Sequence, residues 1–247
     1  MPASDQPVYL IIGATGGIGS HVSRLLAADK AQLILAARSE EDLNKLASDT
    51  GGTPRPMDAT SYDEVQALVD FATDRYGRLD GVGHFVGSIL LKPAHLTSVE
   101  EYRTTLAKNL DSSFFTVKAA ARAMMKSGGS IVLSSSAVAR TGLVNHEAIA
   151  AAKAGIIGLM KSAAATYAQR GVRVNALAPG LVDTRMSQHI LSNEAGRKQS
   201  EQMHPLGRIG SPEDIAPAAH WLLTDRSSWV TGQVIGVDGG LGTVRGR

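Results

Sequence analysis

Two spacings of apolar residues take turns along this chain and set its elements. Val8-Tyr9-Leu10-Ile11-Ile12 is an unbroken apolar run of strand length, and the segment after it places Ile18, Val22, Leu25 and Leu26 on one side of a helix ending near Ala28. A strand apolar at every position suits a parallel sheet covered by helices on both faces. The alternation then repeats. Strands are expected at 32–36, 53–57, 79–86, 130–133, 172–178 and 233–237, and helices at 40–48, 61–76, 99–125, 145–170 and 211–224. Helix 61–76 shows its buried stripe plainly in Val65, Leu68, Val69 and Ala72. No linker, composition shift or fixed repeat interrupts the pattern. A single doubly wound α/β domain over 1–247 is the economical arrangement. Within it, 185–205 carries Met186, His189, Ile190 and Met203 and is expected to form a lid over a substrate; ordinary core packing is the plainer alternative.

Composition narrows the classes of function. The chain has 247 residues with 25 Lys+Arg against 23 Asp+Glu, so the charges nearly cancel, and no basic run carries interleaved aromatics. Nucleic acid is therefore not an expected partner. Cysteine is absent. That removes disulfides, thiolate metal sites and a cysteine nucleophile, and suits a cytoplasmic setting. No metal site is expected. No basic segment precedes the first apolar run, and no stretch reads as a membrane span, so neither leader nor anchor is expected.

The chemistry concentrates where strands end. Gly13-Ala14-Thr15-Gly16-Gly17-Ile18-Gly19 joins the first strand directly to a helix N-terminus, where unpaired N–H groups and the helix dipole attract a pyrophosphate. Its Gly-x3-Gly-x-Gly spacing differs from the Gly-x-Gly-x-x-Gly fingerprint, and an ordinary glycine-rich turn is the alternative. The second strand ends in Ala37-Arg38, with no acid before Glu40. In a dinucleotide fold an acid there accepts from the ribose hydroxyls and an arginine pairs with a 2′-phosphate, so Arg38 favours NADP(H) over NAD(H). Asp58 ends the third strand, at the ligand edge or as a helix-start charge, and Gly87 lets the chain after the fourth strand run close to a cofactor. Asn109 interrupts a helical pattern, marking a kink, an ordered-water site or a solvated face. Ser134-Ser135-Ser136 ends the fifth strand, and Lys153 lies in a helix among Ala150, Ala151, Ala152, Ala154 and Gly155, a setting that argues against a freely solvated charge.

Taken jointly, these motifs resemble the short-chain dehydrogenase/reductase family along nearly the whole chain. The Gly13, Gly17, Gly19 turn, Asp58, Asn109, the stretch Arg173-Val174-Asn175-Ala176-Leu177-Ala178-Pro179-Gly180 with Thr184, and the ending Thr231-Gly232-Gln233 through Asp238-Gly239-Gly240 carry it. The resemblance implies a Rossmann-like seven-stranded parallel sheet, NAD(P)(H), a small-molecule substrate and a homo-oligomer, tetramer or dimer. It implies cofactor contacts from Gly13, Thr15, Gly16, Gly17, Ile18 and Gly19, from Arg38, Asp58 and Ala59, and from Gly87, Lys153, Pro179, Gly180, Val182 and Thr184. It also implies a catalytic serine, a tyrosine thirteen residues later and a lysine four further on. Ser136 and Lys153 stand at that spacing, but the tyrosine position is Ile149. Isoleucine has no proton to give, and a positioned acid typically contributes about 10²- to 10⁴-fold in rate. His146, seven residues before Lys153, resembles the donor spacing of the divergent enoyl-thioester reductases and is the substitute candidate, a helix-start histidine the plainer one. Two functions follow. One is an NADP(H)-dependent reductase of a carbonyl or conjugated C=C using Ser136, Lys153, Asn109 and His146; the other is a nucleotide-binding subunit or redox sensor without turnover.

Overall fold

The computed structural model describes residues 6–244, so the ends of the expected 1–247 domain lie outside the described residues. Among these, seven parallel strands form one sheet in the order β3-β2-β1-β4-β5-β6-β7. They are β1 (Val8–Ile12), β2 (Gln32–Ala37), β3 (Thr53–Pro56), β4 (Gly81–His84), β5 (Gly129–Ser134), β6 (Val172–Pro179) and β7 (Val234–Val237). Helices α1 (Gly17–Ala28), α2 (Glu40–Thr50), α3 (Tyr62–Tyr76), α4 (Val99–Leu106), α5 (Ser112–Met124) and α6 (Glu147–Tyr167) join the first six strands. Short helices α7 (Gln188–Leu191) and α8 (Glu194–Met203) and the longer α9 (Pro212–Leu223) lead to the last one.

The unbroken apolar strands divide their side chains between two cores. Leu10 and Ile12 of β1 meet Val65 and Leu68 of α3, Val117 and Met124 of α5 and Ile156 and Met160 of α6 on one face. Tyr9 and Ile11 point the other way, toward Val22 and Leu26 of α1, Leu43 of α2 and Ile215 and Leu222 of α9. Burial on both faces is what a five-residue run without a polar position requires. Helix starts follow local chemistry: Ser39 and Ser61 accept from the backbone N–H groups of Asp42 and Glu64, and Ser98 and Ser211 form reciprocal caps with Glu101 and Asp214.

Three expectations need correction. The single helix at 99–125 is interrupted by a π-turn at Ala107–Asp111, and Asn109 within it is fully buried, not solvated. The hydroxyls of Ser112, Ser113 and Thr116 bond back to the carbonyls of Lys108, Asn109 and Ser112, which satisfies groups that the wider turn displaces. The strand at 79–86 is shorter, β4 closing at His84, although Phe85 N–H still donates to the Ile12 carbonyl at 2.8 Å. Finally, α6 with the 3₁₀ turn behind it makes a 24-residue run, Glu147–Arg170, apolar and long enough to cross a membrane. It buries Ile156, Met160 and Ala163 against the sheet, as a core helix does.

Candidate active site

The sheet order reverses between β1 and β4, and ligands of open α/β sheets bind outside the strand ends at such a point. Gly13 leaves β1 with φ +82°, and a Cβ there would lie 2.8 Å from the Phe85 carbonyl carbon behind β4. Only glycine lets the two strand exits pass so closely. Gly13 and Ala14 N–H both donate to the Ala36 carbonyl, and Gly16 N–H to that of Gly13. A Cβ on Gly19 would collide with the Gly13 carbonyl oxygen. Gly16 caps α1 without a side-chain hydrogen bond, and the first turn of α1 has no acid. The N-terminus of α1 is thus electropositive and accessible, with Thr15, Gly17 and Ile18 half-buried around it.

The second and third strands deliver the next two groups. Arg38 is exposed just beyond β2, and Asp58 lies beyond β3 with Ala59 buried behind it. Asp58 accepts from the Thr60 N–H and hydroxyl at 2.9 and 2.8 Å. Those bonds, with weaker help from Arg38 and Lys108, hold its carboxyl below the usual range.

Opposite them, β4, the π-turn, β5 and α6 converge on Gly87. A Cβ at Gly87 would stand 2.8 Å from Asn109 Oδ1 and 3.2 Å from Lys153 Nζ. Asn109 Nδ2 donates to the Thr105 carbonyl and to Ser88 Oγ, and its Oδ1 accepts from Ser88 N–H. The amide therefore fastens the loop behind β4, and its own backbone carbonyl accepts the Ser113 hydroxyl at 2.7 Å. Lys153 Nζ donates to the Ser134 carbonyl at 2.8 Å, while Ser135 Oγ donates to the Lys153 carbonyl at 2.8 Å, so β5 and α6 are stitched twice. Lys153 is buried, and that burial pushes its ammonium down to about 8.

Ser136, half-buried, starts a 3₁₀ turn, with its Oγ accepting from Val138 N–H at 3.3 Å and 3.5 Å from the Pro179 carbonyl. Ile149 is buried one helical turn before Lys153. His146 caps α6 on the solvent side, its Nδ1 2.7 Å from the Val144 carbonyl. A protonated Nδ1 donates in that contact.

The remaining expected contacts meet across the groove. A Cβ on Gly17 would lie 2.6 Å from Thr184 Cγ2, which brings the far loop over the glycine turn. Pro179 and Val182 are buried, and Leu181 N–H donates to His204 Nε2 at 3.1 Å, which braces the Gly180 backbone. Within the expected lid, Met186 and Met203 are exposed, His189 bonds to the nearby Met186 carbonyl, and His204 is buried. Arg185 reaches Asp42 of α2 at 3.2 Å. Arg173 and Asn175 act further back, tying β6 to the carbonyls of Leu222, Thr224 and Val230.

Sequence reasoning assigned no role to His84, which ends a stretch, Asp80-Gly81-Val82-Gly83-His84, that resembles the enoyl-thioester reductase branch. It is fully buried, with Nε2 3.1 Å from Ser112 Oγ and Nδ1 2.9 Å from Thr116 Oγ1, and so joins β4 to the start of α5, directly after the π-turn. Burial, then the positive charge of Lys153, pushes its imidazole down to about 3. Its only signal was a polar residue in an otherwise apolar strand.

A glycine-lined helix N-terminus at the switch point and a buried lysine facing Gly87 are the parts of a dinucleotide-dependent oxidoreductase. The comparisons agree with that class. A family profile described as "Enoyl-(Acyl carrier protein) reductase" matches residues 13–242. The 3-oxoacyl-[acyl-carrier-protein] reductase FabG of Thermotoga maritima is 36% identical over 245 residues, covering 96% of this chain and 98% of that one. A short-chain dehydrogenase/reductase from Mycobacterium ulcerans superposes with TM-score 0.91 at 34% identity, over 100% of this chain and 93% of its own. An actinorhodin polyketide ketoreductase variant, solved with NADPH, superposes equally well at 28% identity, over 98% and 100%. The chain belongs to the short-chain dehydrogenase/reductase family, and its seven-stranded single-domain fold is that of the family's solved structures.

Proposed function

We propose that the chain is an NADP(H)-dependent oxidoreductase that reduces a carbonyl or a conjugated C=C without the usual tyrosine. The observation that carries this reading is the convergence of Lys153 Nζ and Asn109 Oδ1 on Gly87, where any Cβ would close the space between them. The cradle fits a dinucleotide: glycine at 13, 17 and 19, a helix N-terminus without acids, and a cation, Arg38, beyond β2 that would pair with a 2′-phosphate. When bound, the nicotinamide supplies the hydride. Ser136 donates a hydrogen bond to the substrate oxygen as negative charge develops there. Lys153 holds the cofactor ribose and keeps a positive charge near that oxygen, and Asn109 keeps the Ser88 loop in place. A proton reaches the product from His146, from water or from another side chain of the site.

Reduction of an activated double bond suits Ile149 best, because protonation at carbon can be left to water. Assembly as a homo-oligomer belongs to the same proposal; exposed Trp229, Val99 and Phe114 offer apolar area for subunit contacts. A cytoplasmic setting accords with the absence of cysteine.

The test is NADPH consumption against activated ketones, diketones and α,β-unsaturated thioesters, with NADPH binding measured on the same protein. Turnover that depends on Lys153 supports the reductase and identifies the bond reduced. Tight binding without turnover across the panel favours the non-catalytic subunit instead.

A further inference from the structure

We infer that Arg185 is a second residue selecting NADP(H) over NAD(H): carried on the loop beyond β6, it exchanges Asp42 of α2 for the 2′-phosphate of the cofactor. This role rests on the NADP(H) reading above and adds to Arg38 a cation from the opposite side of the groove.

The loop crosses the cradle. A Cβ on Gly17 would lie 2.6 Å from Thr184 Cγ2, so Thr184 sits against the first turn of α1, where a pyrophosphate would bind. Arg185 follows directly, and its guanidinium reaches Asp42 at 3.2 Å in the first turn of α2. That turn opens at Ser39, next to Arg38, and Ser39 Oγ accepts from Asp42 N–H at 3.2 Å. One side chain therefore spans the groove from its pyrophosphate end to its ribose end. The backbone beneath it is fastened. Thr184 N–H donates to Ser187 Oγ at 3.0 Å, Ser187 N–H donates to the Thr184 carbonyl at 3.0 Å, and the Ser187 hydroxyl donates to the Val182 carbonyl at 2.6 Å. The guanidinium can thus change partner while the turn stays in place.

The start of α2 needs such a cation. Glu40, Glu41 and Asp42 fill its first turn. These acids suit the helix dipole, but they repel a phosphate, and a carboxylate at this edge favours the bare ribose of NAD(H). Lys45 covers Glu41 at 2.7 Å from within the helix. Asp42 is covered from outside by Arg185, whose hydrogen bond and charge hold its carboxyl below the usual range. Arg38, the cation beside this turn, also acts on Asp58 beyond β3.

The existing pair is easily traded. The Arg185 side chain is 84% exposed and that of Asp42 28%, and ion pairs so open to water add little to stability. A 2′-phosphate dianion accepts two parallel N–H bonds from one guanidinium, which makes it the stronger partner. NADP(H) therefore draws Arg185 off Asp42, whereas NAD(H), with free ribose hydroxyls, leaves it there.

Calorimetric titration of the cofactor-free protein with adenosine 2′,5′-bisphosphate and with adenosine 5′-monophosphate isolates the 2′-phosphate. Wild type is expected to bind the bisphosphate at least about tenfold more tightly than the monophosphate. Arg185→Gln, at an exposed position, is expected to keep the wild-type melting temperature, to lose about 5- to 20-fold on the bisphosphate and to stay within about threefold on the monophosphate. The loss is expected to persist in the Asp42→Asn background, because the bond that matters is made to phosphate. The NADPH-to-NADH ratio of kcat/KM is expected to fall by the same factor. Equal losses on both nucleotides, or no loss, overturn the role of Arg185. So does a loss that vanishes with Asp42→Asn, since Arg185 would then only screen that carboxylate. Wild-type protein that binds both nucleotides alike overturns the NADP(H) reading itself. A wild-type preference that Arg38→Ala abolishes and Arg185→Gln leaves intact overturns the role of Arg185 alone.

Discussion

Replacing His84 by glutamine tests whether a neutral, buried imidazole holds the start of α5, behind the π-turn, against β4. Glutamine offers one donor and one acceptor to Ser112 and Thr116 but does not titrate. At pH 7.5 imperfect replacement of the two bonds is expected to cost about 1–3 kcal/mol. Below pH 6.5 the balance changes. The folded imidazole titrates near 3 against 6.5 in its ordinary state. Between those values the unfolded chain binds a proton that the folded chain refuses, so wild-type stability drops as pH falls, by about 1.4 kcal/mol per unit. At pH 4.5 this group alone removes roughly 3 kcal/mol from wild type and nothing from His84→Gln. The difference between the two proteins is therefore expected to shrink steadily below pH 6.5 and to approach zero or reverse near pH 4.5. Urea unfolding followed by far-ultraviolet circular dichroism at pH 4.5, 5.5, 6.5 and 7.5 reads it, and carboxylate titrations cancel in the comparison. Two parallel stability curves would refute the assignment of His84 as neutral and inaccessible.

Other outcomes follow from the same geometry. Ile149→Tyr places a phenol one helical turn before Lys153 and is expected to raise ketone reduction by about 100-fold or more; an unchanged rate means the substrate oxygen is held elsewhere. Gly87→Ala drives a methyl group to 2.8 Å from Asn109 Oδ1 and 3.2 Å from Lys153 Nζ, so NADPH turnover is expected to collapse, with the melting temperature showing how much of that is lost stability. Arg38→Ala is expected to raise KM for NADPH by about 10- to 100-fold and leave KM for NADH within a few-fold, because only the 2′-phosphate needs the guanidinium. Lys153→Met removes an ammonium that burial disfavours at pH 7, and is expected to stabilise the fold by about 1–3 kcal/mol, the lost bond to the Ser134 carbonyl offsetting part of the gain. Since the folded group deprotonates near 8, that advantage fades as pH rises toward 10; urea melts at pH 7 and 9.5 read it.

Much of the fold could be read from local pattern, because each strand that is apolar throughout must be covered twice and each helix carries its own start signal. The six expected strands besides the first lie where strands occur, with ends shifted by up to two residues. The long helix failed for a specific reason. A helical period in 99–125 says nothing of one extra residue in a turn, which only the bonds of Asn109, Ser112, Ser113 and Thr116 sustain. The glycine turn stood out by its own spacing, Lys153 by its small neighbours, and Ser136 through the family resemblance. His84, Ser88 and the Ser134 carbonyl did not, since their roles come from partners tens of residues away in the chain.

What the sequence determined by itself is therefore one-dimensional: the alternation of elements, the glycine turn between the first strand and helix, and an apolar Ile149 four residues before Lys153. These depend on residue type and short spacing. The tertiary structure alone decided which groups share a volume. Closing β4, the π-turn, β5 and α6 around Gly87 desolvates Lys153 and His84, and desolvation is a property of enclosing atoms rather than of any residue taken singly.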